Sequence, residues 1–377
     1  MKKIFLILLF TFYYSHNCFS QSFKKTISMH ESADRPNEEA RDNKVNTKAP
    51  IKELLKLAKI GTFNSLNPYI IKGIAPPGIK GLVIESLMTW SPDEPFSLYP
   101  GIAEGVITPQ DRSWVEFKIN PHAQFSNGKK ITNKDIIFSW ETLKKYGRPH
   151  TRSYYSLVKD AKEITSNIVR FTFSEKSNFE MPLIIGLMPI FSSAYWKKRD
   201  FTKTTLEPFI SSGPYLITEI KAGRSITYTK NKSWWRKNSQ DSLGRNNFNK
   251  IKYDFYRDTN VSLQAFLSGE YDVNIETDAV RWATAYHKNP KNKIIKKTFQ
   301  KQSPSGIEGI ILNSRQFPFK DRNVRKAISI LFPYNFINEI LNHGLLKQTY
   351  GPWDNSDLAA TSMPSKATND ILKKYKD

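Results

Sequence analysis

The chain has 377 residues, enough for two or three domains of the usual ~100–200 residues each, so a single small core is excluded. Its formal charge is +22, but the basic residues are spread along the chain, and lysines far outnumber arginines, the residue suited to bidentate phosphate contacts. That balance reads as a solvated basic surface able to collect near anionic headgroups, and it argues against a nucleic-acid partner.

The first residues fall into three zones: Lys2 and Lys3, an apolar run over residues 4–14, and a small-residue site near Cys18, Phe19 and Ser20. This is the pattern of a secretory signal cleaved near Ser20, and it predicts export. The run is too short for a spanning helix, which needs roughly 20 apolar residues, and no later segment reaches that length. Cys18 is the only cysteine and lies inside the signal, so disulfides and cysteine catalysis are excluded from the mature chain. Ser15, His16 and Asn17 before it lack the apolar-then-small pattern of lipoprotein processing. Residues 21–45 are polar and mixed in charge and read as a flexible leader.

Residues 51–60 are ambiguous, because Ile51, Leu54, Leu55 and Ala58 repeat at helical spacing while Leu55, Leu57 and Lys59 alternate as in a strand. Trp114–Ile119 alternates and predicts a strand ended by Asn120 and Pro121. Thr132 with Asp135 three residues on makes a capping box, opening a helix with the stripe Ile136, Ile137, Trp140 and Leu143 that runs up to Gly147. Strands are predicted at Ile168–Phe173 and over residues 215–220, 225–229 and 251–256. Helices are predicted over residues 261–267, closed by Gly269, and at Arg322–Leu331, where Asp321 caps and Val324, Ala327, Ile328 and Leu331 face inward. The mixture has no regular βαβ beat and no internal repeat, so the class is α/β or α+β.

The six histidines are scattered, and none has the spacing of a zinc-ligand motif, so no metal site is expected. No Gly-x-Ser-x-Gly elbow, phosphate loop or dinucleotide fingerprint occurs; Gly73, Gly78 and Gly81 have the wrong spacing for one. Neither an enzyme nor a cofactor is expected. Aromatic residues make up 13% of the chain. The pairs Trp234 with Trp235 and Trp282 with Tyr286, and the group Tyr253, Phe255 and Tyr256, lie in polar surroundings. They read first as core residues and second as platforms for a ligand.

In order along the chain, Trp114–Ile119, Pro121, Ala123, Phe125, Asn127, Gly128, Ile131, Thr132, Asp135, Ile136, Phe138 and Ser139 form one block. Ser212, Gly213, Pro214 and Tyr215, with Gly223, Asn231 and Trp234 or Trp235, form a second; Asn313, Phe319, Asp321, Val324, Arg325 and Ala327 form a third. Together they resemble the family 5 extracellular solute-binding proteins, the peptide-, dipeptide- and nickel-binding components of ABC importers. Further blocks resemble the Yej-type branch, associated with oligopeptide and microcin C uptake: residues 61–68, Asp93 to Tyr99, Arg148, Pro149, His150, Tyr154 and Tyr155, residues 186–189 and residues 203–208.

The resemblance implies an α/β fold, a class II periplasmic binding protein built as a two-lobed clamp with an inserted subdomain in lobe one. It implies that the ambiguous segment around Leu54 is the first strand of lobe one. Lobe one would take residues 46–84 and 203–278, the inserted subdomain residues 85–202, and a partial lobe two residues 279–377 after the signal peptide (1–20) and leader (21–45). Because family members continue beyond the point matching Asp377, the second lobe is expected to be incomplete and the product degenerate or only partly functional.

The implied function is periplasmic capture of oligopeptides, or of peptide-like antibiotics, by a monomer that delivers them to an inner-membrane ABC transporter permease. Asn67, Ser212, Gly213, Tyr215, Arg257 and Trp282 are the expected ligand contacts, with turn and core roles the competing reading for Gly213 and Tyr215. Two departures stand out. Ile51, Lys52 and Glu53 replace a Lys-Gly-Gly type turn, and Pro333 replaces an acidic residue, so the helix before it should stop by Phe332. The charge suggests an alternative, a secreted basic protein that binds an anionic surface or a host partner.

Overall fold

The computed structural model describes residues 22–30, 45–91, 94–174, 178–286, 294–299, 304–356 and 358–375; the signal peptide lies outside them. The chain divides into two compact units, Met1–Leu263 and Gln264–Asp377. Along the first unit run β1 (Ile27–Ser28), β2 (Lys52–Ile60), β3 (Met88–Ser91), β4 (Glu94–Pro100), β5 (Ala103–Ile107), β6 (Trp114–Ile119), α1 (Asn133–Tyr146), α2 (Pro149–Tyr155), β7 (Val158–Thr165) and β8 (Ile168–Phe173). They are followed by α3 (Met181–Gly186), α4 (Ser193–Trp196), β9 (Tyr215–Lys221), β10 (Ser225–Lys230) and β11 (Phe248–Tyr256), and α5 (Thr259–Leu267) crosses into the second unit.

The strands form three sheets, ordered β1-β4-β3, β2-β11-β10-β9 and β5-β6-β8-β7. In the second of these, β2 lies parallel to β11, with Leu55 opposite Ile251 and Leu57 opposite Tyr253. That pairing resolves the ambiguity of residues 51–60 in favour of a strand. Leu55 and Leu57, adjacent in the alternating pattern, pack against the core, whereas Ile51 and Leu54 of the helical pattern are exposed. The third sheet is antiparallel throughout, and α1 packs on β7 and β8. Phe117, Phe171 and Trp140 meet there edge to face, with ring centroids 6.3 Å apart in both pairs, Phe117–Phe171 and Trp140–Phe171. Cross-strand partners Glu116 and Arg170 form an ion pair at 2.5 Å, the guanidinium also lying over the Trp114 ring.

The sequence reading of α1 and of its start holds. Asp135 Oδ2 accepts from Thr132 N (3.0 Å) and Oγ1 (2.8 Å), while Oδ1 accepts from the N and Oγ of Ser193 at 2.9 Å each. One buried carboxylate thus closes the helix start and fixes the entrance to α4.

Residues 22–30, expected to belong to a flexible leader, are tied down instead. Lys24 exchanges backbone hydrogen bonds with Val106, β1 pairs with β4, and Arg112 donates to Ser28 O at 2.6 Å. Ile27 is buried in the core, and this burial adds to the backbone pairing that holds the stretch.

The second unit carries α6 (Ala279–Thr284), α7 (Arg322–Leu331), α8 (Tyr334–Leu341) and α9 (Lys366–Leu372). α7 begins and ends as the sequence predicts: Asp321 accepts from Asn323 N at 2.7 Å, and Phe332 turns extended before Pro333. Its apolar stripe does not turn inward as predicted. Val324 and Ile328 are half-buried, Ala327 and Leu331 are exposed, and none of α6 to α9 has a buried residue. The pattern specifies a face, but among the described residues nothing covers this one.

Asp135→Ala is expected to cost about 1–3 kcal/mol, the penalty for leaving buried donors unpaired. The loss should appear as a lower chemical denaturation midpoint at unchanged slope.

Candidate ligand-binding site

A tight loop follows the β2 strand. Gly78 (φ 92°) and Gly81 (φ 88°) stand in the left-handed region on either side of Ile79 and Lys80. Ile79 is buried and Ile84 N donates to its carbonyl at 2.9 Å, so the loop has its own anchor. Tyr228 of β10, wholly buried, donates its hydroxyl to Pro77 O at 2.5 Å and packs so closely that a Cβ on Gly78 would lie 3.0 Å from its ring. The loop therefore presents Lys80 while its neighbour Ile79 points into the core.

Three residues later the chain meets the segment before β9. Gly213 N donates to Val83 O at 2.9 Å, and Glu85 N donates to Ser212 Oγ at 3.4 Å. A Cβ at position 213 would stand 2.4 Å from Leu82 O and 2.6 Å from Val83 O, so only glycine permits this approach. Trp235 Nε1 donates to Glu85 Oε2 at 3.0 Å, and the neighbouring Arg236 pairs with Asp241.

Lys80, Gly81, Glu85, Arg236 and Asp241 from these segments line a cavity of ≈ 480 Å³ within the first unit, as does Arg245. Lys80, Glu85, Arg236 and Asp241 bring charge of both signs, and Tyr69, Trp90, Tyr99, Tyr155 and Trp234 bring aromatic surface. Burial, with Arg148 adding to it, pushes the Lys80 ammonium below the ordinary lysine value. Burial pushes Glu85 above the ordinary carboxyl value, against the opposing pull of Arg236 and the Trp235 indole. Burial likewise raises the phenols of Tyr69 and Tyr155, which stay neutral donors.

The residues expected from the sequence to contact ligand occupy different places. Asn67 is buried; its Oδ1 accepts from Tyr69 N and its Nδ2 donates to Phe201 O, both at 3.0 Å. Ser212 and Gly213 sit behind the wall at Glu85 and Val83, while Pro214 between Gly213 and Tyr215 lines the cavity. Tyr215 is fully buried and donates to Phe248 O at 2.8 Å. Arg257 is exposed at the end of β11. Trp282 belongs to the second unit, half-buried beside Tyr286 with Lys296 Nζ 4.5 Å above its ring. Asn67, Ser212 and Gly213 are thus each one hydrogen bond behind the wall. Lys80 and Glu85 were missed by sequence reading; the glycines that bracket Lys80 were the available signal.

Two substitutions probe this wall. Gly213→Ala should destabilise the chain by about 1–3 kcal/mol, measured by denaturant unfolding, because backbone must move to admit the methyl group. Glu85→Gln tests the buried charge. A carboxyl whose folded value lies above its ordinary 4.5 contributes stability that is present below that value and lost as pH rises through the folded one. The thermal midpoint of Glu85→Gln should therefore exceed that of the parent chain at pH 7 and converge with it below about pH 4.

The profile of bacterial extracellular solute-binding proteins, family 5, matches residues 97–376. A putative binding protein of Brucella melitensis is 36% identical over 352 residues, covering 90% of this chain and 57% of the relative. The peptidoglycan-binding protein YepA of Agrobacterium fabrum is 33% identical over 351 residues (89% and 57%), and YejA of Escherichia coli, of uncharacterised function, 35% over 335 residues (88% and 55%). The chain therefore spans little more than half the length of these curated relatives.

Among solved structures, the fold is shared with NikA of Brucella suis, in complex with Fe(III)-EDTA, at a TM-score of 0.63 and 19% identity, over 86% of this chain and 64% of that one. It is shared equally with the oligopeptide-binding protein AppA of Bacillus subtilis, in complex with a nonapeptide, at 0.63 and 18%, over 88% and 66%. With the profile covering most of its residues and relatives above 30% identity aligned along its length, the chain belongs to the family 5 extracellular solute-binding proteins.

Proposed function

We propose that the chain is an exported peptide-binding protein that captures short peptides in the periplasm for an inner-membrane ABC transporter permease. The observation that carries this reading is the cavity of ≈ 480 Å³, with aromatic faces and charges of both signs on one wall system. Its volume falls in the range of small-molecule sites, and its mixture of apolar surface with few charged groups suits a short peptide. The A. fabrum relatives named peptidoglycan-binding YepA and probable peptide-binding YejA point to peptides, including those derived from cell wall, as the substrate class. Export rests on the three-zone N-terminus, with cleavage proposed near Ser20, and a monomer is proposed.

We also propose the lobe assignment in which residues 46–84 and 203–278 make lobe one and residues 85–202 its inserted subdomain. It is supported by one sheet drawing β2 and β9 to β11 together, and by a second sheet, β5 to β8, closed within residues 103–173. In that scheme Asn67, Ser212 and Gly213 shape the wall, and Arg257 is the remaining direct contact proposed within the first unit.

The test is thermal unfolding of residues 21–377 with and without a mixture of tri- to pentapeptides. A ligand that binds only the folded chain adds about 2.7 kcal/mol of stability at a free concentration of 100 times its Kd, so the midpoint should rise in proportion to affinity. An unchanged midpoint with peptides, alongside salt-sensitive binding to anionic vesicles, would replace peptide capture with a surface-binding role.

A further inference from the structure

The second unit, Gln264–Asp377, has secondary structure without a core. Among the described residues, Tyr271 is its only buried hydrophobic side chain. The sequence nevertheless writes apolar faces into it. On α7, Val324, Ala327, Ile328 and Leu331 follow one another at helical spacing, and on α8 Phe336, Ile337, Ile340 and Leu341 do the same. Leu331 is 79% exposed and Phe336 64%. Ahead of them, residues 306–312 read Gly-Ile-Glu-Gly-Ile-Ile-Leu, whose β-branched side chains favour a strand. No strand forms there, and Ile311 is 97% exposed. Isolated helices shorter than about 12–15 residues are marginal in water, and α7 has 10 residues and α8 has 8. Ordering such elements costs entropy that only burial recovers, so apolar faces of this extent mark a surface made to be covered.

The comparisons indicate what covers it. The family match runs through residue 376 and so includes all of α7 and α8. The relatives carry more polypeptide than this chain spans: the match takes in 57% of the B. melitensis protein, and the shared fold takes in 64% of NikA and 66% of AppA. We propose that residues 306–312 and the apolar faces of α7 and α8 are docking surfaces for the polypeptide that the relatives carry and this chain does not span. That occupant would lay a strand beside residues 306–312 and set apolar side chains on Leu331 and Phe336. The inference is independent of peptide capture, because it concerns how the second unit acquires a core.

The experiment is amide hydrogen exchange on residues 21–377, alone and after refolding with an equimolar amount of the unspanned polypeptide of the B. melitensis relative. Exchange over residues 306–312 and 322–341 is expected to slow by about tenfold or more in the mixture, with a one-to-one complex on size exclusion. The double substitution Leu331→Asp with Phe336→Asp alters side chains exposed in the chain alone, so it should leave that chain's thermal midpoint unchanged while abolishing the complex and the protection. A chimera in which the same polypeptide is joined to the chain as in the relative guards against a separate segment that fails to fold. Protection of these residues in the chimera, lost on the double substitution, supports the proposal, and their continued rapid exchange there overturns it. Protection that the double substitution leaves intact overturns the assignment to α7 and α8. Protection in the chain by itself that grows with its concentration puts a second copy on these faces and also overturns the proposal.

Discussion

The first unit depends on the absence of a side chain at position 213. There the backbone before β9 runs against Leu82 and Val83, residues about 130 positions earlier, at a distance no Cβ tolerates. That approach joins a loop carrying Lys80 to a wall carrying Glu85, Ser212 and the pair Trp234 and Trp235. Remove it and the loop loses its backing. The hydrogen bond from Tyr228 to Pro77 secures the other side of the same loop, so sheet β2-β11-β10-β9 and the cavity are mechanically one object.

Charge placement follows from this framework. Half-buried ionic groups are retained only where their surroundings partly compensate them, and the wall shows graded compensation. Arg236 and Asp241 neutralise each other, Glu85 accepts from the Trp235 indole, and Lys80 is exposed to solvent beside the Tyr69 ring. The second unit contrasts with this. α6, α7 and α9 are capped by Asp278, Asp321 and Ser365, but apolar side chains of the unit, among them Leu331, Phe336 and Ile340, are exposed. Caps and local bonds set its secondary structure; contacts that would bury those faces are missing among the described residues.

Local chemistry was legible wherever the deciding interaction is local. The box at Thr132 and Asp135, the cap at Asp321 and the stop before Pro333 are each settled within a few residues, and each is found as read. The strand over residues 52–60 was not legible from periodicity, only through the family resemblance, since its two patterns conflict and a partner almost 200 residues away, β11, decides between them. The ordering of residues 22–30 was missed for the same reason, because β4 and Arg112 hold them from a distance. The inward stripe of α7 fails in the opposite sense: periodicity names the face, and only packing says whether anything meets it.

The sequence by itself determined the family, the capped helices and the alternating strands, and among its expected ligand contacts were Asn67, Ser212 and Gly213. Those residues are marked because turns and close backbone contacts restrict their identity, and such restriction is written in residue type. Only the tertiary structure decided what they support. A glutamate among dozens of charged residues carries no local mark, and the glycines around Lys80 mark a turn without saying what the turn presents. Lys80 and Glu85 become neighbours only as lining of one cavity, a property that exists only once segments distant in sequence have packed together.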